Sequence, residues 1–164
     1  MSNMSKGLLL KRGGGAGAHQ LDFQFNPTTI SERHGVRYHF SDAQGQYMPL
    51  AQFGQKEPIE ISFELFFYNN AGVGEDLKSL RRLVSPPTLN ETNFYDQAAP
   101  NRYALSLDGI GVFDGVVEDL SIRIDKYKKY DMEPQSITAQ IRFKVTSSGV
   151  TSDVDFYKRT TGQQ

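Results

Sequence analysis

The chain of 164 residues predicts a mainly β domain, a barrel or sandwich of antiparallel strands with one short flanking α-helix at about 74–84. Three observations predict it. Apolar and polar residues alternate over several short runs, and a single run switches to helical spacing. No cysteine is present, so the core must come from packing rather than from disulfides. The length suits one domain of roughly 100–200 residues, which buries about 70% of the surface its unfolded chain exposes.

The elements follow in order. Residues 12–18, RGGGAGA, are glycine-rich, a composition disfavoured in regular structure, and 1–18 is expected to be a flexible arm. Gly13, Gly15 and Ala18 superficially match a dinucleotide fingerprint, but a strand-like run follows where that motif requires a helix. LDFQF (21–25) sets Leu21, Phe23 and Phe25 against Asp22 and Gln24, and stops at the Asn26-Pro27 turn signal. GVRYHF (35–40) alternates Val36, Tyr38 and Phe40 with Arg37 and His39. IEISFELFFY (59–68) is the strongest strand, with Ile59, Ile61, Phe63, Leu65 and Phe67 on one face. Its other face passes from Glu60, Ser62 and Glu64 to Phe66 and Tyr68, so its end is expected to be buried on both sides.

GEDLKSLRRLVSPP (74–87) breaks the period of two. Leu77, Leu80 and Val84, with Leu83 beside them, have helical spacing. Glu75 and Asp76 suit the positive N-terminal end of a helix, Arg81 and Arg82 suit its C-terminal end, and Pro86-Pro87 stop it. After a polar stretch, RYALSL (102–107) and DLSIRIDKY (119–127) return to alternation, the second through Leu120, Ile122 and Ile124. YKKYDMEPQ reads as a hairpin connection. SITAQIRFKV (136–145) then places Ile137, Ala139, Ile141, Phe143 and Val145 inward. The β domain is expected over 19–146, with 147–164 a polar C-terminal extension.

Composition excludes several functions. Lysine and arginine number 18 against 19 acids, a net charge of −1, without the basic excess that nucleic-acid recognition needs. Leu8, Leu9 and Leu10 form the only apolar run near the N-terminus, shorter than the roughly 7–15 residues of a secretory signal. No run approaches the roughly 20 residues of a membrane span. Synthesis in the cytoplasm is expected, without export by the general signal-peptide route.

Asp114, Glu118 and Asp119, in GVFDGVVEDLSI (111–122), are the one carboxylate cluster that could perform acid/base chemistry. On an ideal strand Glu118 and Asp119 point to opposite faces, so they cannot share a substrate. Asp114 could meet Glu118 only across a bend, and Gly111 and Gly115 are read as bending the backbone. His19, His34 and His39 lack a ligand spacing, and no Gly-x-Ser-x-Gly elbow is present. No catalytic residue, metal or cofactor is expected. The long, regular 136–145 run suggests instead an exposed strand edge that pairs between subunits of a closed ring.

Five stretches in order carry a resemblance: FQFNPTTI (23–30), PIEISFELFF (58–67), GEDLKSLRRLV (74–84), GVFDGVVEDLSIRIDKY (111–127) and ITAQIRFKV (137–145). Together they resemble the tube-type domain of contractile injection systems, as found in the baseplate adaptor, or tube initiator, of phage-tail-like particles. The resemblance implies a tail-tube-like β-barrel or sandwich with a flanking helix. It also implies a non-enzymatic subunit of hexameric rings in a contractile phage tail or phage-tail-like injection system: the adaptor joining the spike or hub protein to the inner tube protein, a tube-like protein, or a component of a true phage tail. Longer members carry a C-terminal LysM domain that has no counterpart here, so peptidoglycan binding is not implied. The family pattern usually holds a glycine in the hairpin before the last strand, where this chain has YDMEP (130–134), so a different turn is expected.

The remaining candidates are contact residues. SDAQGQYMPLAQFGQKEP (41–58) reads as a long polar connection, and such loops usually act. Tyr47, Met48, Leu50 and Phe53 are its expected anchors on a neighbouring ring, with Asn26, Pro27, Tyr130 and Met132 as further inter-subunit contacts. A monomeric β-sandwich binding module is the competing reading, weakened by the absence of tryptophan; a hydrolase using Asp114 and Glu118 is the third.

Overall fold

The computed structural model describes residues 6–12, 19–41, 45, 47–68, 72–85, 101–107, 109–129 and 132–146. In chain order these form β1 (Leu8–Lys11), β2 (Gln20–Asp22), β3 (Ile30–Arg33), β4 (Val36–Ser41), β5 (Leu50–Lys56), β6 (Glu60–Tyr68), α1 (Val73–Val84), β7 (Tyr103–Leu107), β8 (Gly111–Tyr127) and β9 (Pro134–Val145). Seven strands make one antiparallel sheet in the order β2-β1-β7-β8-β9-β6-β3, and β4 and β5 form a separate two-stranded ribbon.

The mainly β fold with one short helix follows from the period-two runs. Along β6, Ile61, Phe63, Leu65 and Phe67 are buried; along β9, Ile137, Ala139, Ile141 and Phe143 are buried, and the cross-strand register sets these rows side by side. Helix α1 lies on this apolar face through Val73, Leu80 and Leu83. Val84, which the spacing assigns to the buried stripe, is 37% exposed, and Val73 takes its place one turn beyond the other end. Ser85 is extended (φ −78°, ψ 137°), as a residue before a proline prefers, and its hydroxyl donates to the Arg81 carbonyl at 2.8 Å. Truncating a fully buried Phe67 or Phe143 to alanine removes about 3–5 kcal/mol.

The sheet is curled rather than split into a sandwich. Side chains form the seam between the segment after β2 and β6. Phe23 packs on Phe63 with ring centroids 5.7 Å apart, and Phe25 lies 6.2 Å from Phe66. Between them, the Gln24 carboxamide donates to the Tyr68 carbonyl at 2.8 Å and accepts from the Tyr68 N–H at 2.7 Å. One amide thus replaces a missing strand at Tyr68.

Five expectations are corrected. First, Leu8–Lys11, assigned to a flexible arm, is a strand between β2 and β7 with Leu9 fully buried. Leu8 and Leu10 pack on its other side against Ala104 and Val112, which is why the run shows no alternation. Second, β9 is no edge: β8 and β6 flank it, and the sheet ends are β2 and β3. Third, residues 50–56 of the expected polar connection are strand β5, paired with β4 from Ser41↔Leu50 to Val36↔Lys56. Fourth, the end of β6 is not buried on both sides, since Phe66 and Tyr68 are 43% and 44% exposed. Fifth, Gly115 marks a close approach rather than a bend, because a Cβ there would stand 1.9 Å from the Lys144 carbonyl oxygen. Gly111, by contrast, has φ +136°, a conformation that side-chain-bearing residues rarely adopt.

Candidate functional site

The carboxylates of β8 are held by cations. Arg12 grips Asp114 with a two-pronged ion pair, joining the end of β1 to β8. Ideal alternation fails at Glu118. Val117 stands opposite Phe143 and Asp119 opposite Arg142, so Glu118 is the extra residue of a β-bulge. Its carboxylate pairs with Lys144, which shares a sheet face with Arg142, so Glu118 and Asp119 come to the same side. Asp119 lines a shallow groove of about 320 Å³ over β9, with Thr29, Ser62, Glu64, Ser121, Gln140 and Arg142 around it. Asp114 and Glu118 each meet a basic partner, an arrangement that serves strand docking.

The histidines are separate. His34 Nε2 lies 3.2 Å from Glu32, and His39 sits on β4 opposite Gln52. His19 is the informative one. Its Nδ1 is 3.3 Å from the Tyr103 hydroxyl, which donates to the Arg82 carbonyl at 3.4 Å. Nδ1–H therefore donates, and Nε2 is left buried without a partner among the described residues. Burial, then the charges of Arg82 and Lys11, push the His19 pKa below its ordinary value of 6.5. Among the described residues no group of three potential ligands gathers to hold a metal ion.

The most distinctive surface is the β4–β5 ribbon. Its six and seven residues are exposed throughout, and no helix or other strand among the described residues packs on it. The ribbon is nonetheless two-faced. Tyr38 stands opposite Phe53 and Phe40 opposite Ala51, so Val36, Tyr38, Phe40 and Phe53 share one face. Tyr38 and Phe53 meet edge to face, with centroids 6.2 Å apart and an interplanar angle of 79°. Gly54 sits at a bulge where a Cβ would come within 2.9 Å of the Arg37 carbonyl and the His39 ring. At the root, the Glu57 N–H donates to the Gly35 carbonyl at 2.9 Å, and Arg37 pairs with Glu57 at 3.2 Å.

The structure brings the expected contact residues together only in part. Tyr47, Met48, Leu50 and Phe53 all belong to this ribbon or its turn, with exposures of 100%, 73%, 54% and 67%. Leu50, opposite Ser41, lies on the face away from Phe53. Asn26 is remote from them and accepts a hydrogen bond from the Gly7 N–H at 2.9 Å, beside half-buried Pro27. Met132 lies in the β8–β9 connection with φ 51°, in the left-handed region, and Tyr130 falls outside the described residues. Sequence reasoning missed Val36, Tyr38 and Phe40 as surface residues. Their alternation gave the shared face correctly, but nothing in a period of two says whether another layer covers it.

The geometry is thus a curled β-sheet with a flanking helix, ion-paired acids and a projecting aromatic ribbon. The family of contractile injection system tube proteins matches residues 11–153 of the chain, and the chain belongs to that family. It is thus a structural component of a contractile injection system, assembling with itself and with other tail components in a tail particle. Comparison with curated proteins gives no match. No helix among the described residues is long and apolar enough to cross a membrane.

Proposed function

We propose that the chain forms a hexameric ring at the junction of hub and tube, as the tube initiator or adaptor that joins the spike or hub protein to the inner tube protein. One observation carries the reading: the β4–β5 ribbon projects four apolar side chains on a face that no other described element of its own subunit covers. Isolated two-stranded ribbons are marginal in water, and large exposed apolar patches mark interaction sites. A ribbon of this kind is stabilised when a neighbouring subunit covers it. The turn residues Tyr47 and Met48 then reach the ring above or below, while Asn26, Pro27, Tyr130 and Met132 lie at further subunit contacts.

The chemistry required of such a subunit is mechanical. The core sheet keeps its shape when the surrounding sheath contracts, and the exposed ribbon and edge strands carry the inter-subunit bonds. Deletion of residues 44–54 tests the reading. The shortened chain is expected to keep its circular dichroism and cooperative melting yet to sediment as a monomer in the presence of its tail neighbours. Normal ring assembly by the shortened chain would overturn it.

A further inference from the structure

The ribbon has a matching surface elsewhere on the same molecule. On the face of β6 away from the core, Phe66 and Tyr68 stack with centroids 6.2 Å apart and an interplanar angle of 10°, and Phe25 lies 6.2 Å from Phe66. All three rings are roughly half exposed, at 51% for Phe25, 43% for Phe66 and 44% for Tyr68. The 6.2 Å steps match the spacing of alternate residues on a strand, about 6.5–7 Å. Tyr38 and Phe40, which alternate along β4, therefore have the spacing of this strip.

Charge agrees with shape. Glu64 is two residues before Phe66 on the same face of β6, and its only polar side-chain contact among the described residues is the Gln140 amide at 3.4 Å. On the ribbon, Lys56 stands opposite Val36, so it shares the apolar face, and no acid pairs with it among the described residues. One face is apolar with a single cation; the other is aromatic, and of its two β6 acids Glu60 is held by Arg142 while Glu64 meets no cation among the described residues. We infer that the strip of Phe25, Phe66 and Tyr68 is the receptor for the apolar face of a second copy's β4–β5 ribbon, with Lys56 of the incoming ribbon against Glu64.

A second copy is needed on geometric grounds. The ribbon is rooted at Glu57, three residues before β6 begins, whereas the strip lies at the far end of β6. Phe66 is nine residues beyond Glu57, roughly 30 Å of extended chain at 3.3 Å per residue, and no other described element packs on the ribbon. Because donor and receptor patches differ, the contact is head-to-tail, the type that closes into a ring or runs on as a filament. The inference rests on the ring reading above and adds its receiving surface.

The chain has no cysteine of its own, so cross-linking tests the contact directly. Full-length Phe53→Cys and Phe66→Cys chains are mixed with the tail neighbours and oxidised. A disulfide-linked dimer is expected in the mixture and in neither chain alone. A mixture that sediments as rings but yields no cross-link overturns the inference while leaving the ring reading intact. If the cysteine chains do not assemble, a charge swap decides. Lys56→Glu and Glu64→Lys should each lower the assembled fraction about tenfold, and the double variant should recover it, as like charges across a contact repel. Singles that assemble normally, or a folded double variant that recovers nothing, overturn the inference. An unsubstituted chain that stays monomeric with its neighbours overturns the ring reading itself.

Discussion

Arg12 and Asp114, 102 residues apart in sequence, form a two-pronged ion pair that fastens the end of β1 to the middle of the sheet. The side chains are only 18% and 23% exposed, so removing either partner strands a half-desolvated charge. Asp114→Asn is expected to cost about 2 kcal/mol. Arg12→Ala should cost a similar amount, and the double variant less than the sum. Chemical denaturation measures all three. Full additivity would show that the pair contributes nothing as a pair.

Gly115 faces a different constraint. Its missing side chain lets the β9 backbone at Lys144 approach to a distance where a methyl group cannot stand. Gly115→Ala should destabilise the fold by about 3 kcal/mol, at the upper end for overpacking. Gly74→Ala is the control, because a Cβ there meets nothing within 4 Å. A thermal melt in which both variants behave alike would contradict the close-approach account.

Acid should loosen the junction of β1, β2 and α1. The folded pKa of His19 lies below its unfolded value of 6.5, so the unfolded chain takes up the proton first as pH falls. The stability tied to neutral His19 is fully present above about pH 6.5 and is lost as pH drops towards the folded pKa. Protonated Nε2 would be a buried donor without an acceptor among the described residues, close to Arg82 and Lys11. Urea midpoints from pH 7.5 to 5 should fall more steeply for the natural chain than for His19→Gln. Identical slopes would remove His19 from the account.

Ribbon residues should separate assembly from folding. Tyr38→Ser and Phe53→Ser each change an exposed side chain, so each should shift stability by less than about 0.5 kcal/mol. Assembly, read by sedimentation with the tail neighbours, should drop sharply. A large loss of folding stability would mean that the ribbon packs on its own subunit.

Much of this was legible in the residues. Rows such as Phe63–Leu65–Phe67 and Ile137–Ala139–Ile141 announce strands because period two is a property of the pleat itself. The helix was equally legible from Leu77, Leu80 and Leu83. What period cannot carry is neighbourhood. The alternation of Val36, Tyr38 and Phe40 is the same whether a second layer covers it or solvent does. The β9 run reads equally well as an edge or a centre, since strand order depends on partners far away in sequence. The bulge at Glu118 moved two acids to one face, a shift of register that no local pattern announces. Leu8–Leu10 does not read as a strand because both of its faces are covered, which erases alternation.

A ring at the junction of hub and tube would be visible by electron microscopy of the chain assembled with its tube and spike neighbours. A six-fold ring of this chain between spike and tube is expected, with β4–β5 ribbons buried between subunits. Particles that lack the chain at that junction, or a chain found there only as single copies with solvent-exposed ribbons, would contradict it.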